Sequence, residues 1–451
     1  MPGFWQAIPG CTGSIKAGVL ISAIETSKDR VSGNSGFLAL AALIIAGEAI
    51  FLLPFVLSRI FRPTFIDIFG ITNLQLGTAF SLYGVIAMVS YFAGGPLADR
   101  FSARNLLVAA LLATSLGGAV MVAIPPIGVL TLLYGFWGLT TILLFWGALI
   151  KTTRELGSVH QGRTFGLLDG GRGLFAAVMS SVSVLVFAAL LPADVETATL
   201  AQREQALAAI IQGFSGMCIL SALLVWLFVP PTPRTDTLAG TRVSLRCLRQ
   251  VMAMRTVWCQ AVIVLCAYVA YKSTDGFSLY ARDAFGYDEV EAATIGTVSF
   301  WMRPLAAIGA GLLADRFSGT VMLLWSFAVV MLGSGAIAAG LIVPGLPWLL
   351  LATIAGTSAG IYGLRGLYFA IFGEGNVPLI QTGTAVGVVS FVGFTPDIFM
   401  GPLMGWLIDS SPGAAGHQHV FGVVAGFAFI GLIATVLFGR ASRALPGSDP
   451  V

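Results

Sequence analysis

The chain has 451 residues; 10% are charged, 57% belong to the apolar set AVILMFWYC, mean hydropathy is +0.91 and net charge is +3. An average globular domain carries roughly 25% charged residues, and a chain of ~300 residues removes only about 75% of its surface from water on folding. An ordinary soluble fold is therefore excluded, and without a basic block so is a nucleic-acid partner. Most of this surface needs lipid as its solvent.

Residues 1–36 mix Pro, Gly and scattered charge around Lys16, Lys28, Asp29 and Arg30, which makes a poor secretory signal and reads as a cytoplasmic tail. Six apolar runs follow at about 37–61, 75–95, 105–124, 127–150, 165–191 and 207–229. A Pro- and Arg-rich segment, 230–256, separates them from six more at about 257–282, 290–313, 320–343, 346–372, 379–408 and 419–439. Each run is long enough to span a bilayer, and in lipid the backbone must pair within the segment, so each is expected to be a helix. The expected domains are the 1–36 tail, a bundle over 37–229, the 230–256 linker, a bundle over 257–440 and a cytoplasmic tail over 441–451. Of the 24 Lys and Arg, 16 fall on one side of this arrangement, four (Arg59, Arg62, Arg203, Arg282) on the other and four inside helices. By the positive-inside rule both termini are cytoplasmic, and the expected location is the cell membrane.

Other counts add small bounds. Five Cys (Cys11, Cys218, Cys247, Cys259, Cys266) show no CxxC spacing and suggest no disulfide framework. His417 and His419 are too few for a metal site and read as a loop. The segment Gly356–Gly360 matches the G-x-S-x-G pattern, but it sits mid-helix with no preceding strand, so its small residues are read as helix contacts. P-loop and HExxH motifs are absent from the sequence. No cofactor is implied, and no clustered acid, base and nucleophile suggests an enzyme.

The chain repeats itself. Residues 95–102 read GPLADRFS and 311–318 read GLLADRFS, seven of eight matching at an offset of 216. The same offset carries Phe69-Gly70 onto Phe285-Gly286, and an offset of 219 carries Glu155 onto Glu374. Two parallel six-helix halves follow, with a binding site expected between them at mid-membrane.

The 95–104 segment resembles the cytoplasmic loop signature of the major facilitator superfamily, Gly-x-Leu-Ala-Asp-Arg-x-Gly-Arg-Lys. Gly95, Leu97, Ala98, Asp99, Arg100 and Arg104 fit it; Ser102 and Ala103 depart from it; Gly311 to Arg316 repeats its first six positions. Residues 61–65 (FRPTF) and 70–77 (GITNLQLG) look like segments of bacterial metabolite transporters of that superfamily. The resemblance implies an all-α membrane protein of twelve transmembrane helices in two pseudosymmetric six-helix bundles. It also implies transport by alternating access through a cavity lined by the first, fourth, seventh and tenth helices. Asp99 and Arg100, where a helix leaves the membrane, are suited to latch the halves in one state. The expected gate set is Gly95, Asp99, Arg100, Arg104, Asp315 and Arg316, with Asp169 and Arg172.

Eight ionisable residues fall within the expected helices: Glu48, Asp169, Arg172, Lys272, Asp275, Arg303, Arg365 and Asp397. A charge at the bilayer centre costs at least ~2.5–3.5 kcal/mol on insertion scales, so each needs a partner, water or a function. Asp169–Arg172 and Lys272–Asp275 are spaced for local i,i+3 pairs. Glu48, Arg303, Arg365 and Asp397 have no local partner. Arg303 precedes Pro304 and Asp397 follows Pro396, both kink sites. Tyr83, Tyr268, Tyr271, Tyr362 and Tyr368 add hydroxyls nearby. Lys272, Arg365 and Arg303 suit an anionic group, with Tyr362 and Trp146 beside them. Glu48, Asp397 and Asp275 suit proton carriage; the competing role for all eight is interhelical bridging that only fixes packing. The expected function is secondary transport of a small polar, anionic metabolite with protons or another ion as the coupling partner. The alternatives are a proton-coupled antiporter exporting an organic cation or drug, and a membrane receptor.

Overall fold

The computed structural model describes residues 34–157, 161–231, 245–314, 317–372, 374–375, 377–378 and 381–443, and every regular element among them is helical. Eleven helical segments are long and apolar enough to cross a membrane. They are α1 Gly36–Ile60, α2 Asn73–Arg100, α3 Ala103–Val122, α4 Ile127–Leu156, α5 Thr164–Leu190, α6 Leu200–Phe228, α7 Arg255–Phe285, α9 Gly319–Ala338, α10 Pro347–Leu367, α11 Thr384–Ser410 and α12 Ala414–Arg443. The remaining long helix, α8 Glu289–Ala314, has its apolar run interrupted by Arg303 and Pro304. The spans follow the hydropathy reading, with boundaries moved by a few residues. Leu116, Leu132, Leu185, Trp325 and Leu332 stand exposed on the outer faces of the bundle, as lipid-facing residues must.

Local sequence explains the ends. Thr72 accepts from the Gln75 amide at 3.2 Å while the Gln75 side chain accepts from the Thr72 amide at 2.9 Å, a capping box that starts α2. Thr199 and Gln202 start α6 in the same way. Short helices Arg62–Phe69 and Phe277–Phe285 end at Gly70 (φ 58°) and Gly286 (φ 68°). Both adopt the left-handed turn that only glycine takes without strain, so the sequence repeat reflects a structural one. α1 takes a π-helical path over Leu52–Val56 at Pro54, and α7 tightens to a 3₁₀ turn over Thr274–Gly276.

Packing repeats with a shift of six helices. α3 lies on α6 as α9 lies on α12; α2 on α4 as α8 on α10; α1 on α5 as α7 on α11. The halves meet through α2 against α11 and α5 against α8. In the first of these seams Gly77 faces the backbone of Gly401, and Gly405 faces Asn73, so the helices touch main chain to main chain.

Three readings change. The GPLADR motif, expected in a loop, forms the last turns of α2, because nothing in it breaks a helix except Pro96, which the helix absorbs. His417, read as loop, lies in the first turn of α12, buried, with its Nε2 3.0 Å from Asp283 Oδ2. Arg59 and Arg62, counted as residues outside the membrane, are buried. The 1–36 tail up to residue 33, the linker between 232 and 244, and 444–451 lie outside the described residues.

Candidate functional site

The halves are joined at one end and through the middle. At the end carrying Asp409, that carboxylate accepts from the Asn73 amide (3.2 Å), the Leu74 amide (2.8 Å) and the Asn73 side chain (3.1 Å). An acidic residue of the second half thus caps the N-terminus of α2 in the first. Arg282 bonds Asp67 at 2.7 Å and Arg203 bonds Glu289 at 2.9 Å, both across the halves. Deeper in, Arg59 of α1 meets Asp275 of α7 at 2.6 Å, and the Ser278 hydroxyl donates to the Arg59 carbonyl at 2.8 Å.

At the opposite end the gate residues pair within their own half. Asp99 is 78% exposed and 3.6 Å from Lys151, which also donates to the Ala98 carbonyl at 2.9 Å. Arg100 lies over Phe101 and Arg104 over Trp226. Beside them, α2 and α4 line a cavity of about 480 Å³ that includes Tyr91, Gly95, Trp146, Lys151, Arg154 and Glu155. In the second half Glu374 accepts from the Gly319 amide at 2.7 Å and caps α9. Asp315 and Arg316 lie outside the described residues. Among the described residues Asp99 therefore makes no ion pair with the second half, while Asp409 caps α2 from across the interface.

The charges within the helices gather into two clusters, each of two positive and two negative groups. In the first, Glu48 bonds Arg303 at 2.9 Å and lies 3.2 Å from Arg172, and Asp169 lies 3.4 Å from Arg303 and 3.9 Å from Arg172. Arg172 also donates to the Gly47 carbonyl at 3.0 Å and lies over the rings of Phe51 and Trp146. In the second cluster Lys272 sits 3.2 Å from Asp275 and 3.6 Å from Asp397, Arg59 completes Asp275, and Tyr268 donates to Asp397 at 2.9 Å. Lys272 lies over Phe55 and Phe80, and Arg59 over Tyr271 and Phe300. Two positive and two negative groups in each cluster offset the cost of burial, which an unpaired charge could not escape.

Arg365 stands apart from both. Its guanidinium lies 3.8 Å from the centre of the Tyr271 ring and 5.9 Å from that of Tyr268, and no carboxylate of the described residues comes within 4.0 Å. Tyr362 packs edge-on against Tyr271, and Tyr368 is buried nearby. The i,i+3 pairs expected from spacing are present, but each belongs to a larger cluster. Spacing along the sequence did not reveal Arg59 as the partner of Asp275, although the repeat held the signal: the two residues are 216 apart, the offset that superimposes the halves. Arg62 is buried too, at the Asp409 end, donating to Asn73 Oδ1 at 3.2 Å.

The family model described as Major Facilitator Superfamily matches residues 37–396. The chain belongs to the major facilitator superfamily. It is a multi-pass membrane transport protein, not an enzyme. Its relatives include the inner membrane protein YqcE of Escherichia coli (strain K12), 26% identical over 420 residues that cover 89% of this chain and 94% of that one. The inner membrane protein YihN of the same organism is 24% identical over 410 residues, covering 88% and 93%. Among solved structures, the nucleoside transporter NupG superimposes with a TM-score of 0.67 at 15% identity, covering 89% of this chain and 98% of that one. A bacterial homologue of the human lysosomal transporter Spinster, inward-facing and unoccupied, gives 0.67 at 14%, covering 92% and 100%. At such identities the likeness to this facilitator-superfamily chain is one of fold.

Proposed function

We propose that the protein is a proton-coupled secondary carrier of a small anionic organic metabolite, bound at mid-membrane by Arg365. The observation that carries this reading is the charge balance. Glu48 and Asp169 offset Arg172 and Arg303, and Asp275 and Asp397 offset Arg59 and Lys272, so Arg365 is the positive charge of the central layer left over. A guanidinium flanked by Tyr268 and Tyr271 offers a two-pronged contact to a carboxylate or phosphate. Of the three cations expected to hold an anion, Lys272 and Arg303 are already engaged by carboxylates, and Arg365 is the anchor. Trp146, beside Arg172, and Tyr362, beside Tyr271, flank the same space.

The Lys and Arg distribution puts the Asp99 end in the cytoplasm with both termini, and the Asp409 end outside. On that orientation the geometry corresponds to the inward-open state, with Asp99 and Arg100 free to latch in the opposite one. The test is uptake into proteoliposomes under an inside-alkaline gradient. Inward accumulation of a carboxylate or phosphate metabolite, lost in Arg365→Gln, supports the reading. Proton-driven efflux of an organic cation that survives Arg365→Gln overturns it.

A further inference from the structure

Around Lys272 the second half supplies two carboxylates and one cation of its own. Asp275 and Asp397 lie 3.2 and 3.6 Å from the ammonium, and the balancing charge, Arg59, belongs to the other half. Arg59 and Asp275 sit at equivalent positions of the repeat, where α1 and α7 face each other across the pseudo-twofold axis. Their contact lies just inside the seal formed by Asp409, Arg282 and Arg203. Parting the halves at that end withdraws Arg59 and leaves two carboxylates on one ammonium.

We propose that Asp275 and Asp397 are the proton-binding site of this carrier, and that Arg59 is the group that displaces the proton when the Asp409 end closes. The inference rests on the proton-coupled reading above and assigns its site. In the state open at Asp409 a proton from water bonds to one carboxylate oxygen and restores neutrality. On closure the Arg59 guanidinium reaches Asp275, the carboxyl O–H bond breaks, and the proton passes to water on the open side. Charge is conserved, because one positive group replaces another. The groups facing the pair are Arg59 from α1, Tyr268, Tyr271 and Lys272 from α7, Tyr83 and Tyr91 from α2, Tyr134 from α4, Tyr368 after α10 and Arg62 from the short helix after α1. Of the other cations nearby, Lys272 is already shared, Arg62 is held by Asn73, and Arg365 lies over the Tyr271 and Tyr268 rings with no carboxylate of the described residues within 4.0 Å.

The experiment needs no solute. Spin labels at Leu200→Cys and Leu341→Cys, exposed positions of the two halves at the Asp409 end, report its opening by electron–electron distance measurement between pH 5 and 8.5. The open state holds one more proton, so acid favours it, and the open-to-closed ratio is expected to rise towards tenfold per pH unit. Asp397→Asn and Asp275→Asn each remove the need for that proton, and the slope is expected to vanish. Arg59→Lys retains it. A flat wild-type profile overturns the proposal, and this holds even where a variant fails to fold. So does a slope that survives both Asn variants, or one lost only in His417→Gln, which reassigns the proton to the His417–Asp283 pair. A flat profile alongside Arg365-dependent uptake sinks this site and leaves the carrier reading intact. A pH-dependent profile in a protein whose solute binding ignores Arg365 does the reverse.

Discussion

Replacing Asp409 with Ala removes the clasp between the halves without touching the central charges. Asp409 caps α2 from across the interface with two backbone hydrogen bonds and one to the Asn73 side chain. An N-cap side chain contributes about 1 kcal/mol, in a range of ~0.5–2. A negative charge at a helix N-terminus adds ~0.3–1 kcal/mol when exposed, as Asp409 is. These bonds exist only while the Asp409 end is closed, so their sum, about 1–3 kcal/mol, is lost from that state alone. The closed-to-open ratio should fall roughly 5- to 150-fold. Distances between spin labels at Leu200→Cys and Leu341→Cys check this, with Asp409→Asn expected to lie between wild type and Ala because Asn still caps. An unchanged distance distribution in Asp409→Ala would refute the assignment of the clasp. A drop in thermal stability with no shift between states would show that the cap serves α2 alone.

Glu48→Gln leaves Arg172 and Arg303 to share the half-exposed Asp169, and should lower stability by ~3–5 kcal/mol in thermal unfolding of the detergent-solubilised protein. Adding Arg303→Gln restores neutrality, so the double variant should be more stable than Glu48→Gln; additive losses would mean the pair is not coupled. Gly77→Val drives a side chain into the backbone at Gly401 and should cost at least ~1–3 kcal/mol or bias the protein towards the state open at the Asp409 end. Wild-type stability and spin-label distances in that variant would contradict the close α2–α11 seam.

The apolar runs and the offset of 216 that carries GPLADRFS onto GLLADRFS were enough to read the fold, because lipid leaves the backbone no choice but to pair within each segment. The i,i+3 pairs Asp169–Arg172 and Lys272–Asp275 were legible for the same local reason. Hydropathy did not show that Arg59 and Arg62 are buried within the protein, since a count of charges along the chain does not register what packs against the end of α1 and the short helix after it.

What the sequence by itself determined was therefore everything whose cause is local or periodic: twelve lipid-soluble helices, their twofold repetition and the presence of costly buried charges. Which charge neutralises which was decided only by the tertiary structure. Glu48 and Arg303 are 255 residues apart and Asp275 and Arg59 are 216 apart, and attraction between ions depends on distance in space and on the dielectric around them. That pairing across helices engages Lys272 and Arg303 and leaves Arg365 with no carboxylate within 4.0 Å among the described residues.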